Sequence, residues 1–190
     1  LYAFVWGSVC DRYLELSKPI LKGEHSSGAA SRLETQTTLA WVLEQSMTLL
    51  HPIMPFITEE LWGITATRNT MLVHQDWPSY GLELVDEAAT TEISWAIALI
   101  DAIRSARAQM NVPAGAKVPL VQVQNDAAGS KALAANMAQI RQMARITEVT
   151  IAAEMPKGAI TVSAPHATFG LPLADIIDVA AEKARLEKNM

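Results

Sequence analysis

Apolar residues in the first part of the chain recur every three or four positions, which is the spacing of one face of an α-helix. The pattern predicts helices over 1–22, 30–50 and 88–110. Pro55 opens a fourth, shorter helix, because the N–H that proline lacks would make no hydrogen bond at the first helical position. Pro113 ends the last helix. We therefore predict an all-helical unit.

The pattern changes after residue 115. Apolar and polar residues begin to alternate, as they do in a half-buried strand. Short segments of this kind, or with a strand-like apolar composition, lie at 118–124, 146–151, 160–162 and 167–171. Helical spacing returns over 127–144. This mixture predicts a small α+β domain over residues 116–174, after a helical domain over residues 1–115.

The last segment, 175–190, is again helical, with a seam of residues three and four positions apart over about two heptads. So short a coiled coil is not stable alone, and we predict the root of a longer coiled-coil arm. The chain begins without Met inside one predicted helix and ends inside another. We therefore expect a piece of a longer protein, with a helix missing before it. The predicted fold class is mainly α: a helical bundle, a small α+β domain and the start of a coiled-coil helix.

Composition narrows the possible functions. A hydrophobic content of 50% supports a packed core and argues against disorder. A net charge of −5 counts against a strongly basic nucleic-acid binder but leaves room for local basic patches. No apolar run is long enough to span a bilayer, and the first residues lack the features of a signal peptide. The single cysteine, Cys10, predicted to be buried in its helix, fits a reducing cytosol, so we expect a cytoplasmic protein.

Residue types that carry catalysis or bind metals are not grouped in this sequence. There is no Gly-rich phosphate loop, no His-Glu-x-x-His motif and no Cys/His metal spacing, and the four histidines are scattered. Glu59 and Glu60 are adjacent, so on a helix they point about 100° apart and do not readily share a site. We predict that both carboxylates lie in the first turns of their helix and interact favourably with the positive end of its dipole. The sequence therefore predicts neither a catalytic site nor a metal site.

Arg104 and Arg107 form the most suggestive basic pair. Their three-residue spacing places them on one helix face, beside the apolar stripe. One hypothesis is a fork that binds phosphate or carboxylate. The alternative, which the sequence favours, pairs Asp101 with Arg104 and leaves Arg107 in solvent.

Two further basic sets lie at the ends of the chain: Arg12, Lys18 and Lys22 in the first helix, and Lys183, Arg185 and Lys188 in the last. Lys18 and Lys22 suit the negative end of their helix dipole, although the same charges could face RNA. The last set alternates with acidic residues, which is typical of a solvated helix face.

Five tryptophans are many for a chain of this length. Aromatic side chains stack on bases in single-strand recognition. Trp6, Trp41 and Trp62 instead fall within helical apolar patterns, so we predict that they pack in the core. Trp77 lies in a connection and is assigned to neither use.

Four segments resemble valyl-tRNA synthetases, in the order in which that family has them. They are Cys-Asp-Arg-Tyr-Leu-Glu-Leu-Ser-Lys-Pro at 10–19, His-Pro-Ile-Met-Pro-Phe-Ile-Thr-Glu-Glu-Leu-Trp at 51–62, Ile-Arg-Ser-Ala-Arg-Ala-Gln-Met-Asn-Val-Pro at 103–113, and the stretch 171–188. The complete string at 51–62 favours the valyl branch, with the isoleucyl and leucyl enzymes as the alternative within the class. Val9 and Arg12 stand where the family usually has aromatic residues, and Gln109 replaces a glutamate, which leaves the role of Arg12 open.

The resemblance implies a tRNA-binding, anticodon-binding region that holds tRNA(Val). Its candidate contacts are the cations Arg104, Arg107, Lys18, Lys22, Arg12, Lys183, Arg185 and Lys188. It also implies a monomeric class I parent that joins valine to tRNA with ATP and Mg²⁺ and edits threonine mischarged onto it. The catalytic motifs of the family are absent here, so this chain is expected to hold no active site and no cofactor. The alternative from another class is a helical protein-interaction module with no RNA role, which the net charge of −5 supports.

Overall fold

The computed structural model describes residues 1–23 and 28–173. They belong to two compact units, Leu1–Val85 and Asp86–Met190, of which the second is described as far as residue 173. We call them the first and the second unit and describe each by itself.

The first unit consists of helices and a long connection. Hydrogen bonding is π-helical over Phe4–Leu14 and α-helical in α1, Glu15–Leu21, in α2, Gly28–Leu50, and in α3, Pro55–Thr65. Two 3-10 turns, Leu72–His74 and Leu82–Leu84, follow α3. The helices predicted over 1–22 and 30–50 are confirmed, and α3 begins at Pro55 as predicted. The π-helical stretch was not predicted from the spacing.

One cluster of buried apolar side chains in the first unit consists of Met47, Trp62 and Leu72. Core packing is confirmed for Trp62 and is wrong for Trp6 and Trp41, which are 60% and 39% exposed. Periodicity identifies the apolar face of a helix, but it does not say whether another element covers that face. Over Phe4–Leu14 the wider π-helical turn also spreads residues three and four apart around the helix. Cys10, predicted to be buried, is half-buried.

The second unit is a four-stranded sheet with three helices. Its elements are α4, Glu87–Gln109, β1, Val118–Gln124, α5, Ala127–Ala135, α6, Met137–Ala144, β2, Ile146–Ile151, β3, Ala159–Ala164, and β4, Ala167–Pro172. The strand order is β2-β1-β4-β3. β1 runs parallel to β2 and antiparallel to β4, and β4 pairs antiparallel with β3. The four predicted strands and the α+β character are thus confirmed.

Helix α4 packs against β3, α5 and α6. Its buried face includes Leu99 and Ile103, which are fully enclosed. Sequence periodicity grouped this helix with those before it, whereas the two compact units divide between Val85 and Asp86. The domain boundaries at residues 115 and 174 stay predictions.

Trp95, on α4, lies in close contact with both β4 and α5. Its ring meets Phe169 edge-on, with the ring centroids 6.3 Å apart, and its indole N–H donates to the carbonyl of Pro165 at 2.9 Å. A Cβ at Gly129 would lie 2.9 Å from the Trp95 ring, so only glycine allows α5 to come this near.

The single helix predicted over 127–144 is two helices. Asn136 ends α5 and caps α6, and its buried side-chain amide donates to the carbonyl of Ala132 at 2.9 Å. A short amide side chain that bonds to the backbone competes with a continuous helix.

The predicted coiled-coil root over 175–190, with Lys183, Arg185 and Lys188, lies outside the described residues. Among the helices of the described ranges, none is long and apolar enough to cross a membrane.

Candidate functional site

The segment 51–62 joins α2 to α3 and holds the turn between them. Nδ1 of His51 lies 2.8 Å from the hydroxyl oxygen of Thr58, and that hydroxyl donates to the carbonyl of Met54 at 2.9 Å. Because a hydroxyl has a single proton, His51 is the donor in the first of these bonds. Thr58 is buried, so the pair satisfies polar groups that water does not reach.

Glu59 contacts the backbone of a residue that is distant in the sequence. Its Oε1 accepts the backbone N–H of Leu72 at 2.8 Å, and its Oε2 lies 4.0 Å from Nε2 of His51. The prediction that Glu59 and Glu60 stabilise the first turn of α3 is wrong, because that turn contains no acidic residue. The carboxylate of Glu59 instead caps the 3-10 turn that begins at Leu72.

Trp62 is the centre of a second set of contacts. Its buried indole donates to the carbonyl of Thr70 at 3.1 Å. The guanidinium of Arg68 lies 3.8 Å from the centroid of its ring and forms an ion pair with Glu44 at 2.6 Å. These contacts tie α2, α3 and the connection together. The segment 51–62 is therefore a structural clasp between these parts of the first unit.

Replacing Glu59 with alanine is expected to destabilise the first unit by about 1–3 kcal/mol, because the backbone N–H of the buried Leu72 loses its hydrogen-bond acceptor. Glu60 is exposed, so Glu60→Ala is the matched control and should change stability by no more than about 0.5 kcal/mol. Amide hydrogen exchange at Leu72, followed by NMR, measures the difference. Equal exchange rates in the two variants would contradict the role given to Glu59.

The basic residues predicted in the first helix differ in their surroundings. Lys18 is bonded to Glu15, one turn earlier on the same helix. Lys22 is exposed at the C-terminal end of α1, and Arg12 is exposed on the π-helical stretch.

Arg104 and Arg107 lie on the same helix but differ in their exposure to solvent. Arg104 is exposed, whereas Arg107 is 7% exposed. Nη2 of Arg107 donates to the carbonyls of Ala116 at 2.7 Å and Pro113 at 3.3 Å. The alternative that left Arg107 in solvent is therefore wrong: its guanidinium holds the loop after α4. Whether either arginine contacts RNA stays a prediction.

The guanidinium of Arg107 is also electrostatically unusual. Burial, and secondarily the charge of Arg145, lower the pKa of Arg107 below its ordinary value. Its Nη1 has no hydrogen-bond partner in the described part of the chain. Arg145 is one of several cations that sequence reasoning did not single out, although Arg141 and Arg145 show the four-residue spacing of one helix face.

Metal ligation has no support in the described ranges, where no group of His, Cys, Asp and Glu side chains is arranged to hold a metal ion.

Comparison with known proteins gives two findings. Residues 1–123 match the family model described as the anticodon-binding domain of tRNA ligase. The chain is also 58% identical to the valine–tRNA ligase of Ruegeria pomeroyi over 99% of its length, and 56% identical to that of Cereibacter sphaeroides over 100%. It is 46% identical to the enzyme of Agrobacterium fabrum over 99% of its length. The chain spans only 18%, 19% and 20% of these three relatives, about one fifth of their length.

Proposed function

Because the chain belongs to the family of anticodon-binding domains of tRNA ligases, we propose that it is the tRNA-binding part of a valine–tRNA ligase. The observation that carries the proposal is the similarity to valine–tRNA ligases along the whole chain, both units included. On this proposal the chain positions tRNA(Val) and does not itself react with it.

The chemistry belongs to the remainder of the parent protein. We assign the ATP-dependent joining of valine to tRNA, the Mg²⁺ it uses and the editing of mischarged tRNA to parts of the relatives that this chain does not span. We expect the parent to work as a monomer in the cytoplasm.

Exposed cations are the groups that would meet the tRNA backbone. Arg104, Arg12 and Lys22 are exposed in the described residues, and Lys18 would have to exchange its bond with Glu15 for one with phosphate. Arg107 supports such contacts indirectly, because its guanidinium holds the loop that follows α4. Phosphate contacts depend on where charges lie, so a net charge of −5 is compatible with this role.

Binding of tRNA(Val) to the 190-residue chain, measured by filter retention over a range of salt concentrations, tests the proposal. We expect the logarithm of the association constant to fall linearly with the logarithm of salt. Arg104→Ala should reduce the slope by about 1, because one phosphate contact is lost. The control Lys131→Ala removes the same charge from a residue whose side chain is 80% exposed and forms an ion pair with Glu92, and should leave the slope unchanged.

The same measurement separates the alternatives. A protein-interaction module would show no binding and no salt dependence. Competition among tRNA(Val), tRNA(Ile) and tRNA(Leu) decides between the valyl enzyme and its isoleucyl and leucyl counterparts, and the valyl proposal requires that tRNA(Val) competes best.

A further inference from the structure

The ends of α4 and α6 meet the beginning of β1 at one corner of the second unit. Arg107, in the last turn of α4, donates to the carbonyl of Ala116 at 2.7 Å. Arg145, the C-cap of α6, accepts the N–H of Val118 with its own carbonyl at 3.0 Å. Lys117 lies between Ala116 and Val118 and is exposed. The side chain of Arg107 and the backbone carbonyl of Arg145 therefore hold the residues on either side of Lys117.

Arg141 extends this corner. It lies in the last turn of α6, its carbonyl accepts the backbone N–H of Arg145, and its side chain is exposed. Two cations at a helix C-terminus suit the helix dipole, which is the ordinary explanation for such a pair. That explanation does not cover the next two observations.

The first observation is the environment of the buried Arg107, which the charge of the exposed Arg145 also affects. Arg107 is buried, it forms no salt bridge within the described residues, and its Nη1 has no hydrogen-bond partner there. The positive charge of Arg145 acts on it in addition to burial. Two carbonyls accept hydrogen bonds from Arg107, but neither carries a charge, so an anion bound nearby would further stabilise this cation.

The second observation is the backbone of Arg145. Its φ of 55° and ψ of 53° are left-handed, a conformation that glycine normally supplies at the end of a helix. The side chain of any other residue makes this conformation less favourable. An exposed arginine therefore occupies a position where its side chain makes the backbone conformation less favourable than glycine would.

We propose that this corner, formed by Lys117, Arg141 and Arg145 in front of the buried Arg107, binds the phosphodiester backbone of RNA. The inference rests on the proposed function, because it assigns part of the tRNA contact to the second unit. Lys117, Arg141 and Arg145 touch the phosphates. Arg107 is a positioning residue, which holds the backbone of Lys117 and adds positive potential behind it.

Two variants test the site, Arg145→Gly and Lys117→Ala, in tRNA filter binding with the 190-residue chain. Each should reduce the salt slope by about 1, and the double variant by about 2. Arg145→Gly removes the charge and the strained backbone together, so its melting temperature should equal or exceed that of the wild type while its tRNA affinity falls. If Arg145 served only the helix dipole, the same variant would melt at a lower temperature and bind tRNA normally, and the proposal would be wrong.

Matched controls come from the same unit. Lys131→Ala with Lys157→Ala removes two exposed positive charges from other positions, as the double variant does, and should leave the slope unchanged. His166→Gly relieves another non-glycine residue with a positive φ, 55°, without removing an arginine, and should leave binding unchanged. If the control pair lowers the slope as much as the test pair, the loss of net charge alone explains the effect and the site is overturned.

The outcomes also separate this site from the proposed function. Wild-type binding with an unaltered slope in the double variant overturns the corner site alone, whereas no tRNA binding by the wild type overturns both. Titration of inorganic phosphate into the RNA-free chain distinguishes the RNA backbone from free phosphate. Phosphate binding that Arg145→Gly abolishes, together with an unchanged salt slope of tRNA binding in the same variant, would identify an inorganic phosphate site and overturn the RNA site.

Discussion

Trp62→Ala is expected to destabilise the first unit by about 3–5 kcal/mol, the range for removing a large aromatic side chain from a core. Trp62 packs with Met47 and Leu72 in one cluster of buried apolar side chains, and its removal would leave a cavity there. The variant also deprives the Thr70 carbonyl of its donor and Arg68 of the ring on which it lies. The ion pair of Arg68 with Glu44 would then be free to move.

Trp77→Ala is the control for Trp62→Ala, because it removes the same side chain from a position that is 60% exposed. It should cost no more than about 1 kcal/mol. Hydrogen exchange over Pro55–Thr65, measured by mass spectrometry, reports the opening of α3 directly, which matters because a chain of two compact units need not unfold in one transition. Unchanged protection of α3 in Trp62→Ala would contradict the central place given to this residue.

Phe169→Ala is expected to have a comparable effect in the second unit, again about 3–5 kcal/mol. Phe169 is fully buried on β4, the strand that pairs with both β1 and β3. Its ring supports the edge of Trp95, whose indole in turn bonds to the carbonyl of Pro165. Removing the ring therefore leaves a cavity between α4 and the middle of the sheet.

Exchange protection of the β4 amides measures the loss in Phe169→Ala. The control Ile151→Ala truncates an apolar strand residue that is 81% exposed at the end of β2, and should stay within about 0.5 kcal/mol of the wild type. Retained protection of β4 in Phe169→Ala, or an equal loss in Ile151→Ala, would show that the core of the sheet lies elsewhere.

The pattern of the sequence predicted the helices and strands well because that information is local. Pro55 opens α3, and alternation marks β1, since proline geometry and side-chain periodicity act within a few residues. The same reasoning missed the break at Asn136, where one side chain bonds to its own helix and divides it. It also missed the π-helical hydrogen bonding over Phe4–Leu14.

The candidate tRNA contacts show where local information ends. The three-residue spacing of Arg104 and Arg107 correctly places both on α4, yet one is exposed and the other is buried under a loop. Glu59 and Glu60 are adjacent in the sequence, and only Glu59 reaches the backbone of Leu72, thirteen positions away. Spacing along one element cannot predict such differences, because each depends on a second element folded against it.

By itself the sequence determined the order of helices and strands, the absence of a catalytic motif and, through its resemblance, the family. The tertiary structure alone decided which apolar faces are covered, which charged groups lose water, and that Arg107 and the backbone of Arg145 hold the start of β1. The physical reason is the distance along the chain over which each effect acts. Backbone preferences act over one or two turns, whereas burial and the interaction of charges depend on residues that are distant in sequence and close in space.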